Sequence, residues 1–218
     1  MSYSVVVGNL QKPMNIKLTV IIISCLILTS CRQSEKSQET MKQAMDVYLY
    51  AELNDDIKID SSLVLTNKAL EFDDQNFSAL NHKATLLFRK KDSKGLIQVA
   101  DKLIELSDKP FYQGQKAMFL ELEGEIDEAN EYYSKAIEKY DDYLKTDTLN
   151  FDLLIEYVGI LEASGDTTKA NKILTNMKEM DFEDYQIEMI GLYKEQAVSK
   201  KQLIKYWAGE IEYEQIGE

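Results

Sequence analysis

Small and aromatic side chains at fixed intervals are the feature that most constrains what this chain can fold into. The clearest set has successive gaps of twelve, four and three residues: Ala117, Ala129, Tyr133 and Ala136. A glycine followed by an acid, Gly124-Glu125, lies between the first two members. Two antiparallel helices come within about 8 to 10 Å of each other only where the contacting side chains are small. The ring of Tyr133 can fill the space between this pair of helices and the next pair. The set therefore predicts a helical hairpin with its turn at Gly124.

The same intervals recur on both sides of this hairpin. The other three sets, in chain order, are Tyr50, Ser62, Thr66 and Ala69; Ala84, Leu96, Ala100 and Leu103; and Val158, Ala170, Leu174 and Met177. Successive first members are separated by 34, 33 and 41 residues (50 to 84, 84 to 117 and 117 to 158). The seven additional residues of the last spacing make about two turns of helix. We therefore expect the second helix of the third pair to extend through Tyr140 and Tyr143.

This arrangement resembles the tetratricopeptide repeat (TPR), a family of helix pairs with a period of about 34 residues. The resemblance covers residues 43–182 and implies an all-α fold, a right-handed α-solenoid of about four TPR-like helix pairs. The tryptophan of the TPR consensus and the glycine of its first helix are absent, and Pro110 is offset from the position of the TPR proline. These departures leave the curvature open, and a related helical-repeat family remains an alternative.

Residues 183–215 are expected to form a terminal pair of capping helices. The segment from Glu183 to Gln196 is amphipathic. Ser199 can N-cap a following helix, because a serine side chain accepts a hydrogen bond from a free backbone N–H of the first turn. That helix would carry Leu203, Ile204, Tyr206 and Trp207. Terminal repeats need a more polar outer face than internal ones, which is consistent with a cap.

The apolar segment LTVIIISCLILTSC, residues 18–31, is bounded by Lys17 and Arg32. A membrane-spanning helix needs roughly 20 apolar residues, so this segment is too short to span. A basic start followed by about 7 to 15 apolar residues is instead typical of a secretory signal peptide. We expect residues 1–30 to be removed, with residues 1–13 as an over-extended start; an uncleaved anchor and a plain secreted protein are the alternatives.

The tetrapeptide Leu28-Thr29-Ser30-Cys31 resembles a bacterial lipobox. The resemblance implies that Cys31 becomes the lipidated first residue of the mature protein, where two or more acyl chains hold it durably at a membrane. Arg32 is not the aspartate associated with inner-membrane retention in some bacteria, so we expect the bacterial cell envelope, with the outer membrane favoured. The polar residues that follow predict a flexible tether over residues 31–42. Cys25 lies in the leader, so the mature chain would fold without disulfides.

The charge balance of the chain is acidic, with 25 Lys and Arg against 38 Asp and Glu and a formal net charge of -13. Affinity for a phosphate backbone comes from Lys and Arg that displace counterions. Nucleic acid is therefore not an expected partner. Solubility alone is a sufficient explanation for the excess of acids.

Residues suited to catalysis or metal binding form no recognisable motif. The one histidine, His82, cannot supply a His-Glu-x-x-His zinc motif, and we expect it to face solvent or a groove. The segment from Asn54 to Asp60 lacks the glycine and the closing glutamate of a calcium loop. Adjacent acids such as Asp55-Asp56 are typical of helix ends and solvated faces. We expect no metal, no cofactor and no enzymatic activity.

The TPR resemblance also indicates where a binding surface would lie. In that family the concave surface is lined mainly by the first helix of each pair, called helix A below. Mapped onto this sequence, the groove positions are Asn81, Thr85, Phe88, Arg89, Phe111, Gly114, Met118, Glu121, Ile155, Gly159 and Glu162. Phe111, Met118 and Ile155 could accept an apolar anchor, and Asn81 could bond to a peptide backbone. For each position the alternative is that it simply continues the helix packing.

Arg89 begins a local basic cluster with Lys90, Lys91 and Lys94. Such a cluster could grip a carboxylate of a partner. Cations also favour the C-terminus of a helix, where they complement its dipole by some tenths of a kcal/mol. Both interpretations remain open for this segment.

These observations together predict a membrane-anchored scaffold that binds a protein or peptide partner in the groove, with envelope assembly as one setting. A solute-binding lipoprotein for sugar or peptidoglycan fragments is one alternative. A purely structural spacer and an enzyme with an unfamiliar carboxylate site are the others.

Overall fold

The computed structural model describes residues 16–196 and 198–216, and within them the chain is helical and contains no strand. The helices are α1 (Ile16–Tyr50), α2 (Asp55–Phe72), α3 (Phe77–Arg89), α4 (Ser93–Leu106), α5 (Pro110–Leu122), α6 (Ile126–Leu144), α7 (Phe151–Ser164), α8 (Thr167–Met177), α9 (Asp184–Gln196) and α10 (Lys200–Ala208), followed by a 3₁₀ turn, Tyr213–Gln215. The expected all-α class is confirmed for this part of the chain. Each helix from α1 to α8 packs against the helix that follows it, and α5 also contacts α7.

Polar side chains mark the points where helices begin. At six of these points the side chain of the residue before the helix accepts a hydrogen bond from the backbone N–H three residues on: Asn54, Asn76, Asp92, Asn150, Asp166 and Ser199. Each such cap stabilises a helix by about 0.5 to 2 kcal/mol relative to alanine. The caps therefore help to divide a continuously helix-forming sequence into separate short helices.

The spaced small residues lie at the centre of the third and fourth pairs. Ala117, Ala129 and Ala136 are 0%, 1% and 0% exposed, and Tyr133 is buried beside them. The corresponding set in α7 and α8 is also fully buried: Val158, Ala170, Leu174 and Met177. Both sets belong to one continuous apolar cluster that runs from α5 to α9.

The predicted extension of α6 is confirmed, since this helix is 19 residues long and ends at Leu144. Tyr140, in the added turns, is completely buried and stacks on Tyr157 of α7 at 5.0 Å between ring centroids. Tyr143 donates a hydrogen bond to Asp108, in the loop before α5. The insertion therefore lengthens the contact between neighbouring helix pairs.

The set of spaced positions predicted for the first helix pair is wrong at its first member, Tyr50. Tyr50 is the last residue of α1 and is 76% exposed. Ala44, which is completely buried, makes the contact instead, and its carbonyl accepts a hydrogen bond of 2.8 Å from Ser62 Oγ. The two residues are 18 positions apart, not twelve, because α1 continues past the contact and a loop over 51–54 follows.

The segment expected to be a flexible tether is helical and partly built into the fold. Residues 32–42 belong to α1, and Ser37, Thr40 and Met41 are buried. Ser37 Oγ donates to the carbonyl of Ala69 at 2.8 Å and accepts from Asn76 Nδ2 at 2.8 Å. These contacts with the end of α2 and the start of α3 hold the segment in place.

Part of the predicted N-terminal leader lies outside the residues that the structure describes. Residues 1–15 of the expected signal peptide and the side chain of Cys31 lie outside the described part of the chain. None of the helices over residues 16–196 and 198–216 combines the length and the apolar character needed for a membrane span.

Three hairpin turns share one unusual backbone conformation. Gly124 and Gly165 have φ angles of 85° and 96°, and Lys91, at the same place in the α3–α4 hairpin, has φ of 56°. Glycine adopts this left-handed region without strain. Lysine does so at a cost of roughly 1 to 2 kcal/mol.

The C-terminal pair begins as the sequence predicts and then turns back along the molecule. Ser199 caps α10 in a reciprocal arrangement with Gln202. Ile190 of α9 is completely buried in the α5–α9 cluster. Tyr206 of α10 reaches α3, where its hydroxyl donates to the carbonyl of Arg89 at 3.1 Å. α10 therefore connects the end of the chain to the second helix pair.

Candidate functional site

An apolar cavity of about 350 Å³ lies among α5, α7 and α9. It is lined by five of the predicted groove positions, Phe111, Gly114, Met118, Ile155 and Gly159, together with Gln115, Glu156, Ile160, Ala163 and Tyr193. We call it the α5/α7/α9 cavity. The structure thus brings together the three side chains that were expected to accept an apolar anchor.

Two glycines shape this cavity. Gly114 is buried, and a Cβ atom placed on it would lie 2.1 Å from Cδ1 of Ile160, so its lack of a side chain permits the close approach of α5 to α7. A Cβ on Gly159 would meet only the hydroxyl of Tyr193, at 3.3 Å, among the described atoms. Gly159 therefore leaves open space where a larger residue would fill the cavity.

Three glutamates of α5 and α7 accept hydrogen bonds from tyrosine hydroxyls, and of the three Glu156 belongs to the described lining of the cavity, whereas Glu121 and Glu162 do not. The donor and acceptor pairs are Tyr133 to Glu121 at 3.2 Å, Tyr140 to Glu156 at 3.3 Å and Tyr193 to Glu162 at 3.3 Å. Burial, with the negative charge of each glutamate added, raises the pKa of all three tyrosines. The three hydroxyls therefore remain protonated donors near neutral pH.

The chain itself covers two other predicted groove residues. Phe88 packs against Tyr206 and Trp207 of α10, with ring centroids 5.6 and 5.3 Å apart. The guanidinium of Arg89 lies 4.0 Å from the ring centroid of Tyr213. This contact makes Arg89 part of an intramolecular aromatic cluster, and the arginine side chain is only 16% exposed.

Lys200, at the start of α10, also contacts the predicted groove. Its ammonium lies 2.5 Å from Glu121 Oε1 and donates to the carbonyl of Ala163 at 3.1 Å. Ala163 lines the cavity. A lysine of the chain thus pairs with Glu121, one of the predicted groove residues.

Asn81 and Thr85 lie on α3, away from the α5/α7/α9 cavity. Asn81 Nδ2 donates to the carbonyl of Phe77 at 2.8 Å, and Thr85 Oγ1 donates to the carbonyl of Asn81 at 3.2 Å. Both side chains are thus engaged with the backbone of their own helix. The structure does not bring them together with Phe111, Met118 and Ile155.

The expectation that His82 faces solvent or a groove is wrong. Its side chain is buried between α1 and α2, with Nε2 2.8 Å from Ser62 Oγ and the ring edge-on to Tyr48. Because the Ser62 hydroxyl donates to the carbonyl of Ala44, the ring nitrogen acts as donor to the serine oxygen. The serine proton is therefore directed away from the imidazole, so this pair is not arranged as a nucleophile and its base.

A second hollow, of about 510 Å³, lies among α2, α3 and α4. Its described lining mixes leucines with charged side chains, including Leu63, Leu80, Lys83, Asp92 and Lys102, and contains none of the predicted groove positions. Within residues 16–196 and 198–216, no group of three or more His, Cys, Asp or Glu is placed to hold a metal ion. The α5/α7/α9 cavity is therefore the candidate site.

Sequence reasoning missed half of the cavity lining. Glu156 and Ile160 lie on α7 next to the predicted positions Ile155 and Gly159. They were missed because the repeat pattern assigns only a narrow set of positions on the first helix of each pair to the groove. Tyr193 comes from α9, which was expected only to cap the stack. The feature of the sequence that could have indicated Tyr193 was an aromatic residue in the segment from Glu183 to Gln196, which was predicted to be an amphipathic helix.

Comparison with known proteins adds no relationship to these observations. A scan of the sequence against protein-family models finds no match, and a search of curated proteins finds no relative. The class that the described residues define is an all-helical protein whose helices pack in chain order, with an apolar cavity among α5, α7 and α9.

Proposed function

We propose that this chain is a lipid-anchored scaffold that holds a segment of a partner protein in the α5/α7/α9 cavity. The observation that carries the proposal is the cavity itself, an apolar recess formed by side chains of three helices. Burial of one apolar side chain in such a recess contributes about 1.5 to 3 kcal/mol to binding. The proposed role is binding and not catalysis.

The proposal includes a finer description of the fold, a right-handed TPR-like solenoid. Support comes from the buried positions at intervals of twelve, four and three in α5–α6 and α7–α8, and from the direct contact of α5 with α7. In such a stack the first helix of each pair lines a concave surface, and the cavity would lie on that surface.

Attachment to a bacterial envelope membrane through Cys31 is part of the same proposal and is supported by the sequence alone. Expression in a bacterium supplied with an alkyne-bearing fatty acid tests it. The wild-type chain should become labelled, and Cys31→Ser should not. Equal labelling of both chains would remove the anchor from the proposal.

A sugar or peptidoglycan fragment is a poorer fit to the cavity than a peptide side chain. The lining consists mainly of Phe111, Met118, Ile155, Ile160 and glycine surfaces. Hydroxyl groups buried there without partners would each cost on the order of 1 to 3 kcal/mol. A solely structural spacer has no need for such a recess.

Site-specific photo-crosslinking in the native envelope tests the binding role. A benzophenone amino acid at Gln115, inside the cavity, should give one dominant adduct with a partner, and the same group at Val64, an exposed site on α2, should not. Gly159→Leu fills the cavity and should abolish the adduct. Gly191→Leu is the matched control, because no described atom lies within 4 Å of a Cβ there. Adducts that survive Gly159→Leu, or the same adducts from position 64, would contradict the proposal.

A further inference from the structure

The C-terminal helix of the chain occupies the part of the predicted groove that lies on α3. The hydroxyl of Tyr206, in α10, donates to the carbonyls of Phe88 and Arg89 at 3.4 and 3.1 Å. Trp207 packs against Phe88 with 5.3 Å between ring centroids, and it also joins the apolar cluster centred on α3, α4 and α5. Because Phe88 and Arg89 are predicted groove positions, α10 lies where a partner was expected.

The face that α10 turns toward the rest of the chain has the pattern of a helix bound in a groove. Lys200, Leu203 and Trp207 are spaced at i, i+3 and i+7, and Tyr206 lies beside Trp207. Leu203 and Tyr206 are 5% and 3% exposed, whereas Ile204 is 49% exposed. Anchors at this spacing are the usual means by which an amphipathic helix binds to a groove of another protein.

The surface under α10 offers complementary charge to this face. The ammonium of Lys200 lies 2.5 Å from Glu121, on α5. The ammonium of Lys91, in the α3–α4 turn, lies 4.4 Å from the ring centroid of Tyr206. A cation is attracted to the negative face of an aromatic ring. The surface therefore suits a helix that carries both a cation and aromatic rings.

The attachment of α10 depends on side chains. α10 makes no extensive backbone contact with another described helix, in contrast to the helices from α1 to α9. It is nine residues long, and isolated helices shorter than about 12 to 15 residues are marginal in water. Short terminal elements with few buried side chains are also the parts of a protein that open most readily. The docked state of α10 is therefore open to competition.

We propose that α10 and the 3₁₀ turn after it form a displaceable strap over a helix-binding surface of α3, and that an amphipathic partner helix with a lysine and aromatic side chains on one face displaces the strap. The partner helix then makes the contacts with Phe88, Arg89 and Glu121. While the strap is closed, it lowers the apparent affinity for the partner in proportion to the fraction of open chains. The inference concerns a second surface and does not depend on what the α5/α7/α9 cavity binds.

Fluorescence anisotropy with the full chain in mild detergent tests this inference. The probe is a fluorescein-labelled peptide of residues 198–216, which stands for the partner helix. Lys200→Glu in the protein places a like charge beside Glu121 and should open the strap. This variant should bind the peptide about tenfold more tightly than the wild-type chain, as expected if the strap is closed in about nine of ten wild-type chains.

The matched control makes the same charge change one residue further along α10. Lys201 is exposed, so Lys201→Glu should bind the peptide as the wild-type chain does. A peptide with alanine in place of Tyr206 and Trp207 should bind to none of the three chains. Phe88→Ala added to the Lys200→Glu chain removes the ring beneath the aromatic side chains and should abolish peptide binding, while circular dichroism checks that the helices are retained.

The emission of Trp207 measures the state of the strap independently, because it is the one tryptophan of the chain. Its emission maximum should move to longer wavelength in Lys200→Glu and should stay at the wild-type value in Lys201→Glu. Equal peptide affinity of the wild-type, Lys200→Glu and Lys201→Glu chains would overturn the inference, as would the absence of binding to all three. A shifted emission without tighter peptide binding would overturn it as well, since α10 would then be a structural cap and not a competitor.

Discussion

Gly114→Ala tests the close approach of α5 and α7 on which the cavity depends. An ideal Cβ at this position lies 2.1 Å from Cδ1 and 2.8 Å from Cγ1 of Ile160, whereas real Cβ contacts essentially never fall below 3.0 Å. Relief of such overpacking costs typically about 1 to 3 kcal/mol. Replacement of glycine by alanine within a helix returns about 1 kcal/mol through helix propensity. The expected net effect is a loss of about 1 kcal/mol in the free energy of unfolding, measured by urea denaturation.

Gly191→Ala is the control for the helix-propensity gain. A Cβ at Gly191, in α9, meets no described atom within 4 Å, so this variant should gain about 1 kcal/mol without any clash. The two alanine variants should therefore differ by about 2 kcal/mol, although they make the same chemical change in a helix.

A second substitution identifies the atoms responsible. Ile160→Ala removes the atoms that the new Cβ would meet and should itself cost about 2 to 5 kcal/mol. In that background Gly114→Ala should become stabilising, which gives a coupling free energy of about 2 kcal/mol between the two sites. If Gly114→Ala stabilises the wild-type chain as much as Gly191→Ala does, α5 and α7 are not as close as described and the reasoning about the cavity fails.

Three further predictions concern the stability of the fold, each measured by urea unfolding. Lys91→Gly should raise the free energy of unfolding by up to about 1 kcal/mol, because glycine adopts the left-handed backbone conformation at this position without strain. Gly165→Ala, at the same place in another hairpin, should lower the free energy of unfolding by about 1 kcal/mol. A change of the same sign in both variants would contradict this reasoning. Burial lowers the pKa of His82 below its usual 6.5, so the unfolded state binds more protons than the folded state below that pH. The contribution of neutral His82 to the free energy of unfolding should be complete above pH 6.5 and should fall as the pH drops toward the lower pKa of the folded state. His82→Asn should remove this pH dependence. The ammonium of Lys116 lies 2.7 Å from the Asp101 carboxylate, and the lysine side chain is only 7% exposed. Asp101→Ala should lower the free energy of unfolding by about 1 to 3 kcal/mol because it leaves this buried ammonium without its nearest anion. An unchanged free energy of unfolding would contradict this and would show that the other contacts of Lys116 suffice.

The helix pairs of the middle of the chain were predictable because their signals are local. In α5 to α8 each hairpin has a short turn, a glycine where φ is positive, and small residues at the points of contact. The first pair lacks these signals. Its loop is longer and its contact residue, Ala44, precedes the expected position by six residues (50 minus 44).

The error over the tether has a specific cause in the sequence. Ser37, Thr40, Met41 and Ala44 follow the helical spacing i, i+3, i+4 and i+7 and form one buried stripe. That spacing is the usual sign of a helix packed on one face. Two of its four members are hydroxyl residues, so the segment has the composition of a linker. Thr40 donates to the carbonyl of Lys36 in its own helix. The burial of Ser37 depends on Ala69 and Asn76, which lie far along the chain, and no local pattern indicates these partners.

Long-range contacts also account for what sequence reasoning could not supply at the site. Phe111, Met118 and Ile155 were placed together by the repeat frame, because that frame assigns equivalent positions to one surface. The contact of Tyr206 with the backbone of Arg89 spans 117 residues. A repeat frame treats each pair as a neighbour of the next pair only, so it contains no information about a terminal helix that returns to α3.

The return of α10 divides the predicted groove into two parts with different chemistry. At α3, aromatic rings of the chain already pack against Phe88 and Arg89, so a partner could use these residues only by displacement of α10 and the 3₁₀ turn after it. At α5 and α7, Lys200 satisfies Glu121 but the cavity beside Glu156 remains open. Under the proposed function, a partner that binds without displacement of α10 therefore obtains its affinity from the apolar cavity among α5, α7 and α9.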